Sequence, residues 1–120
     1  MLKNGLSCKY IQKPWGHEIW LAENDKYAGK IIHINKGYRL SLQYHRIKHE
    51  TLYLHSGLCN IILNDITSVM NPGECQEIKL GTVHRLEAID DSELFEISTP
   101  ELDDIVRLED DYGRIHKEGN

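Results

Sequence analysis

Apolar residues recur along this chain in short alternating runs, not at helical spacing. Residues 30–35 read Lys-Ile-Ile-His-Ile-Asn, and residues 39–45, 51–55 and 60–63 alternate apolar with polar side chains. Alternation places every second side chain on one face of an extended backbone, so each run predicts a strand with one buried face. Residues 18–21, 76–80, 84–89 and 93–98 are of the same length and kind. Pro14, Gly16, Gly29, Gly37, Gly57, the pair Pro72-Gly73 and Gly81 punctuate the runs as turns. Many short strands with regular turns predict an all-β sandwich or barrel, not βαβ units. Helices over 50–58 or 61–69 are the competing reading, but those windows carry β-branched residues and lack good caps.

The chain changes character at Pro100, becoming acidic and amphipathic. Leu102, Ile105, Val106 and Leu108 predict a short helix or an extended tail lying on the barrel, and residues 116–120 are expected to be disordered. At 120 residues there is material for one core. We therefore expect a single domain over 1–120, with a barrel core of about 13–99 and the segment 100–115 packing on it.

Charge and cysteine content narrow the function. A formal net charge of −5 with no Lys/Arg block argues against non-specific binding to nucleic acid, while leaving room for a local cationic pocket. Cys8, Cys59 and Cys75 form no C-x-x-C pair and no disulfide framework, which predicts three reduced thiols. No apolar run has the length of a membrane span, and the N-terminus lacks an apolar signal region. The expectation is a cytoplasmic protein with no nucleic-acid or membrane partner.

The candidate chemistry lies in one spacing pattern. Gly37 is followed after five residues by Gln43, then by His45, Glu50 and Gly57; later, Gly73 is followed by Lys79, Gly81 and His84. Gln43 and His45 are two apart and share a strand face, with Arg39 and Ser41 on the same side. The four residues after His45 allow a tight turn that returns Glu50 to that interior, and a later hairpin brings His84 across to it. Two imidazoles, a carboxylate and an amide oxygen suit one divalent ion: Zn, Mn, Fe, Co or Ni. His17, His33, His55 and His116 carry no such spacing and read as ordinary surface or core residues. Trp15, Trp20 and Tyr27 read as packing residues, with a sugar-facing wall as the alternative.

These motifs resemble those of the cupin superfamily, which read G-x5-H-x-H-x3,4-E-x6-G and G-x5-P-x-G-x2-H-x3-N. Gln43 stands at the first His, Lys79 at the Pro and Ala88 at the final Asn. Residues 13–18 (Lys-Pro-Trp-Gly-His-Glu), 40–45 (Leu-Ser-Leu-Gln-Tyr-His), 84–87 (His-Arg-Leu-Glu) and 103–114 (Asp-Asp-Ile-Val-Arg-Leu-Glu-Asp-Asp-Tyr-Gly-Arg) are similar to the type II mannose-6-phosphate isomerases. Within that group they look like the C-terminal cupin domain of the bifunctional isomerase/guanylyltransferases; no Gly-rich nucleotide loop is present. The chain departs from the group over 46–51, where Lys48 stands at an arginine position and Thr51 at a histidine.

The resemblance implies a cupin fold, the double-stranded β-helix or jelly-roll-like barrel. It implies a metal-dependent aldose–ketose isomerase acting on a sugar phosphate, and by analogy a homodimer formed through sheet edges. Gln43, His45, Glu50 and His84 become the metal ligands. Lys48, His49 and Glu87 become the candidate catalytic residues, and Arg39, Arg46, Tyr44 and Arg114 the candidate substrate-binding residues. Arg39 is expected nearest the phosphate, because it shares the face of Gln43. Two other readings stand beside this one: a binding cupin of a sugar or nucleotide-sugar pathway without turnover, and a metal dioxygenase, which Gln43 fits less well.

Overall fold

The computed structural model describes residues 7–115. Expectations for the first six residues and for 116–120 lie outside them. Among the described residues, eleven strands make two antiparallel sheets. The six-stranded sheet has the order β1 (Lys9–Lys13), β2 (Gly16–Glu23), β3 (Ala28–Ile34), β10 (Ser92–Ser98), β5 (Glu50–Ser56) and β8 (Cys75–Ile78). The five-stranded sheet has the order β11 (Val106–Glu109), β4 (Leu42–Tyr44), β9 (His84–Ala88), β6 (Cys59–Leu63) and β7 (Ile66–Met70). No helix is long and apolar enough to cross a membrane among the described residues.

The alternation read from the sequence sets the layers. β3 buries Ala28, Lys30, Ile32 and Ile34, β5 buries Glu50, Leu52 and Leu54, and β10 buries Ser92, Leu94, Glu96 and Ser98. Toward one end these positions are aliphatic, and they meet Ile61, Met70, Leu86 and Ala88 of the facing sheet, with Trp15 joining them. Toward the other end the same faces carry Lys30, Glu50 and Glu96. The sandwich is thus filled with hydrocarbon at one end and with charge at the other.

Three strands were not expected. β1, β7 and β11 are outer strands of their sheets. β7 closes a hairpin on β6 through Asn64 and Asp65, at φ 45° and 70°. Two positive φ values in a two-residue loop match the twist of a type I′ turn, which Asn and Asp tolerate. In the C-terminal segment no helix forms: turns lead into β11, which pairs with β4 and sets Arg107 opposite Gln43. Of the four C-terminal apolar residues, Leu102 lies in a turn, Ile105 in the link after it, and Val106 and Leu108 in β11; Leu102 alone of them is fully buried.

Gly57 shows how tightly the barrel closes between β5 and β6. Its φ is 96°, and a Cβ there would lie 2.2 Å from the carbonyl oxygen of Asp91. That glycine ends the first motif because backbone occupies the space of a side chain.

Candidate metal centre

Two hairpins and the C-terminal segment build the site. Gln43 on β4 faces His84 in register on β9, and the His45 carbonyl accepts a 2.7 Å hydrogen bond from the Gly81 amide, tying the two motifs together. Glu50 opens β5 opposite Ser98 and Ile78. His45, Glu50 and His84 are all buried, and one donor atom from each lies within 4.8 Å of the others.

The hydrogen bonds fix which imidazole atoms face inward. His45 Nδ1 lies 2.6 Å from the Asp104 carbonyl oxygen, and His84 Nδ1 lies 2.8 Å from that of Thr82. A carbonyl only accepts, so each Nδ1 carries the proton and each Nε2 presents a lone pair. His45 Nε2 is 2.7 Å from Glu50 Oε1, yet this buried nitrogen has no hydrogen-bond partner among the described residues. A lone pair and a carboxylate at that distance repel unless a cation, either a proton on Nε2 or a metal ion, lies between them. His84 Nε2 stands 3.7 Å from the same oxygen. The three residues could therefore hold a metal ion. Gln43 lines the same cavity; its Nε2 donates to Ser41 Oγ at 3.0 Å, which leaves its amide oxygen for a cation.

Behind the ligands lies a buried charge cluster. Lys48 Nζ is 2.8 Å from Glu96 Oε2 and 3.8 Å from Glu50 Oε1; Lys30 Nζ is 3.2 Å from Glu18 Oε2 and 4.0 Å from Glu96 Oε2. The 2.8 Å contact is an ion pair not aligned as a hydrogen bond. Burial pushes the Glu50 carboxyl up, but His45 and Lys48 outweigh it and hold Glu50 well below the usual carboxylate range. Burial and the neighbouring Glu50 push Glu96 up. Burial lowers His84, keeping it neutral as a ligand must be. Three carboxylates against two ammoniums leave one negative charge in this cluster for a bound cation to meet.

The cavity is about 240 Å³. Of the candidate catalytic residues, Lys48 lines it, while His49 and Glu87 do not. The His49 ring is 42% exposed and 2.8 Å from Glu77, and Glu87 pairs with Arg39. Of the candidate substrate residues, Arg114 lines the cavity and is gripped by Asp110 at 2.8 and 3.0 Å; Arg39, Arg46 and Tyr44 do not line it. Arg39 is turned to Asp111 and Glu87 outside. The cause is a slip of one residue: Gln43 faces His84, but Arg39 bridges Glu87 instead of Ala88. Such a slip reverses the facing of the side chains beyond it.

Lys13, Glu18, Lys30, Arg85, Glu96 and Arg107 also line the cavity and were not expected there. For Lys30 and Glu96 a signal existed, since each shares the parity of an apolar strand face. Trp15 and Trp20 both line the cavity, Trp15 as part of the core and Trp20 with its Nε1 donating to Glu18, whereas Tyr27 is exposed.

A two-sheet β-sandwich with an inward His–Glu–His cluster at its polar end is the architecture of a cupin. The RmlC-like cupin from Shewanella frigidimarina NCIMB 400 shares the two-sheet fold at a TM-score of 0.73, over 80% of this chain and 86% of that one, with 16% identity. At the level of family, the profile described as "Mannose-6-phosphate isomerase C-terminal" matches residues 4–110, and the chain belongs to that family. It is 31% identical over 110 residues to the mannose-1-phosphate guanylyltransferase ManC of Salmonella typhimurium, covering 88% of this chain and 23% of that protein. It is also 31% identical over 109 residues to the alginate biosynthesis protein AlgA of Pseudomonas aeruginosa, covering 87% of this chain and 23% of that one. The chain thus spans about a quarter of the length of these relatives.

Proposed function

We propose that this chain is a metal-dependent sugar-phosphate isomerase of the mannose-6-phosphate isomerase type, interconverting an aldose and a ketose. The observation that carries the reading is the pair of imidazoles locked by backbone carbonyls so that both Nε2 atoms meet Glu50 inside a charged cavity. Membership of the family supplies the substrate class. His45, Glu50, His84 and the amide oxygen of Gln43 would hold the ion, and Zn, Mn, Fe, Co or Ni suits that donor set. Such an ion supplies Lewis-acid polarisation of the sugar carbonyl.

The remaining work falls to the chain. Isomerisation moves a proton between C1 and C2 of the open-chain sugar, with no net oxidation. Lys48 is the candidate catalytic residue that lines the cavity; burial lowers its proton affinity, but Glu96 and Glu50 outweigh this and hold it as an ammonium. Its part is to protonate and steady the sugar oxygens as negative charge develops there, while the proton on carbon goes to a different, basic group. The guanylyltransferase activity named for the relatives is no part of this proposal. Association as a homodimer through sheet edges belongs with it, and light scattering on the purified chain tests that point.

The test is direct. The metal-loaded protein is incubated with mannose 6-phosphate, and fructose 6-phosphate is followed enzymatically; turnover is expected, and its loss in His45→Ala. No isomerisation of any hexose phosphate with any of the five metals would sink the reading. A binding cupin without turnover is the second reading, favoured by the placement of His49 and Glu87 outside the cavity. It gains if ligand binds under those conditions and no product forms.

A further inference from the structure

One buried charge plays no part in the metal centre. Arg107 is 8% exposed, lines the cavity, and has its Nε and Nη1 buried with no protein partner among the described residues. Its place is set by register: on β11 it lies directly opposite Gln43 on β4. Directly opposed residues of antiparallel strands share a face, so Arg107 and Gln43 both address the cavity.

The other cations of the cavity wall have partners. Lys48 is matched by Glu96 and Lys30 by Glu18. Arg114 is held at two nitrogens by Asp110. Arg85 donates to the carbonyl oxygens of Leu40 and Glu109 and lies 3.5 Å from the Glu109 carboxylate. Lys13 is the exception: it lines the cavity and makes no ion pair or side-chain hydrogen bond among the described residues. The nearby carboxylates are already committed: Glu18 to Lys30 and Trp20, and Asp110 to Arg114. Two positive charges, those of Arg107 and Lys13, therefore stand unmatched at one side of the cavity. Burial lowers the proton affinity of each; Glu18 offsets part of this at Lys13, Asp110 and Glu18 offset part of it at Arg107, and Arg114 adds to the lowering at both.

A guanidinium out of water with its donors unused is costly, and folded proteins seldom keep one unless an anion meets it. A phosphate monoester suits the deficit best. It carries close to two negative charges at neutral pH and three acceptor oxygens, and it meets a guanidinium edge through two parallel hydrogen bonds. A carboxylate would answer the fork and leave one cation unmatched.

We propose that Arg107, with Lys13 beside it, is the phosphate anchor of this cavity, seating the phosphomonoester of a sugar phosphate next to the Gln43 side of the metal centre. The assignment rests on the sugar-phosphate reading and gives a role to Lys13 and Arg107, which lie in the family-like segments 13–18 and 103–114 but outside the metal-ligand spacing and the histidine cluster. The cavity then has two working ends. His45, Glu50 and His84 address the reacting end of the sugar, and β11 addresses its phosphate.

Calorimetric titration of the full chain, stripped of metal with chelator, tests it with mannose 6-phosphate, mannose and inorganic phosphate. The wild type is expected to bind mannose 6-phosphate, to bind mannose far more weakly, and to lose the sugar phosphate to competing inorganic phosphate. Arg107→Met should weaken mannose 6-phosphate roughly tenfold to a hundredfold, the loss of a charged hydrogen-bonding pair. Arg107→Lys should recover part of this, and both variants should bind Mn²⁺ like the wild type by electron paramagnetic resonance. His45→Ala should do the reverse, losing Mn²⁺ and keeping phosphate affinity. If Arg107→Met fails to fold, Arg107→Lys and Lys13→Met carry the test through the same selective loss. Wild-type affinity for mannose 6-phosphate in the Arg107 variants, or no preference for the phosphorylated sugar in the wild type, overturns the assignment. Absence of turnover with selective phosphate binding intact overturns the isomerase reading alone.

Discussion

Lys48→Met removes the ammonium at the centre of the buried charge cluster while keeping the length and bulk of the side chain. Lys48 is 2% exposed, with Glu96 Oε2 at 2.8 Å and Glu50 Oε1 at 3.8 Å. Deleting one partner of such a pair leaves buried carboxylate charge uncompensated, at a cost of about 3–5 kcal/mol. Two features bring the value to the lower end. Lys30 remains 4.0 Å from Glu96, and Glu96, already pushed up by burial and by Glu50, can take up a proton. We expect a loss of about 3 kcal/mol near neutral pH. The sign of the pH dependence follows from that proton. A native carboxyl with a raised pKa binds more protons than its unfolded counterpart, so stability is fully present below the ordinary carboxylate range. It is lost as pH rises toward the folded value, at up to about 1.4 kcal/mol per pH unit for one proton. The deficit of Lys48→Met should therefore shrink on acidification, and a divalent ion should stabilise the variant more than the wild type. Urea denaturation between pH 5 and 8, with and without metal, measures both. A deficit below about 1 kcal/mol that does not vary with pH would mean that the cluster does not carry these charges.

Three further outcomes are expected. Gly57→Ala, forced to positive φ with its methyl against the Asp91 carbonyl, should cost at least about 2–3 kcal/mol and lower the melting temperature, whereas Gly73→Ala meets no atom within 4 Å and should cost only its backbone strain. Asp104→Ala deprives the Ile47 and Lys48 amides of one acceptor at 2.6 and 2.9 Å and should cost about 1–2 kcal/mol. Burial raises the Asp104 carboxyl, but the Lys48, Ile47 and Arg46 amides outweigh it and lower it. That contribution is therefore present above the unfolded carboxylate value and fades as the pH falls below about 3.9, so the two denaturation curves should converge in acid. With a thiol reagent, Cys8 and Cys75 should react in the native protein and Cys59 only in denaturant, since burial pushes its thiol up to about 11; rapid labelling of three thiols would contradict the fold.

The strands that bury a face announced themselves, and those that do not were silent. In β3, β5 and β10 every second residue is inside, and the alternation is plain in the chain. β7 exposes four of its five residues, and β1 and β11 are little better. Such outer strands are held by ladder hydrogen bonds, which leave no mark on hydrophobic pattern. His45, Glu50 and His84 were legible because turn lengths fix where a strand face resumes. Arg39 was misplaced because a one-residue slip between β4 and β9 is invisible to a count of two. Lys30 and Glu96 were overlooked because a charge at the end of an apolar face reads as the start of solvent. Arg107 belongs to a segment expected to be a helix or tail, and its role depends on pairing with a strand more than sixty positions earlier.

The C-terminal segment also imposes an order in time. A chain made from its N-terminus has the last core aliphatic of the six-stranded sheet, Leu94, before Asp104 and Arg107 emerge. The hydrophobic half can collapse while the imidazole of His45 still lacks the carbonyl that aims it. A nascent chain should therefore pass through a stage that is folded at one end and chemically incompetent at the other. Its ligands then become a rigid set only when β11 docks, as the final step of assembly.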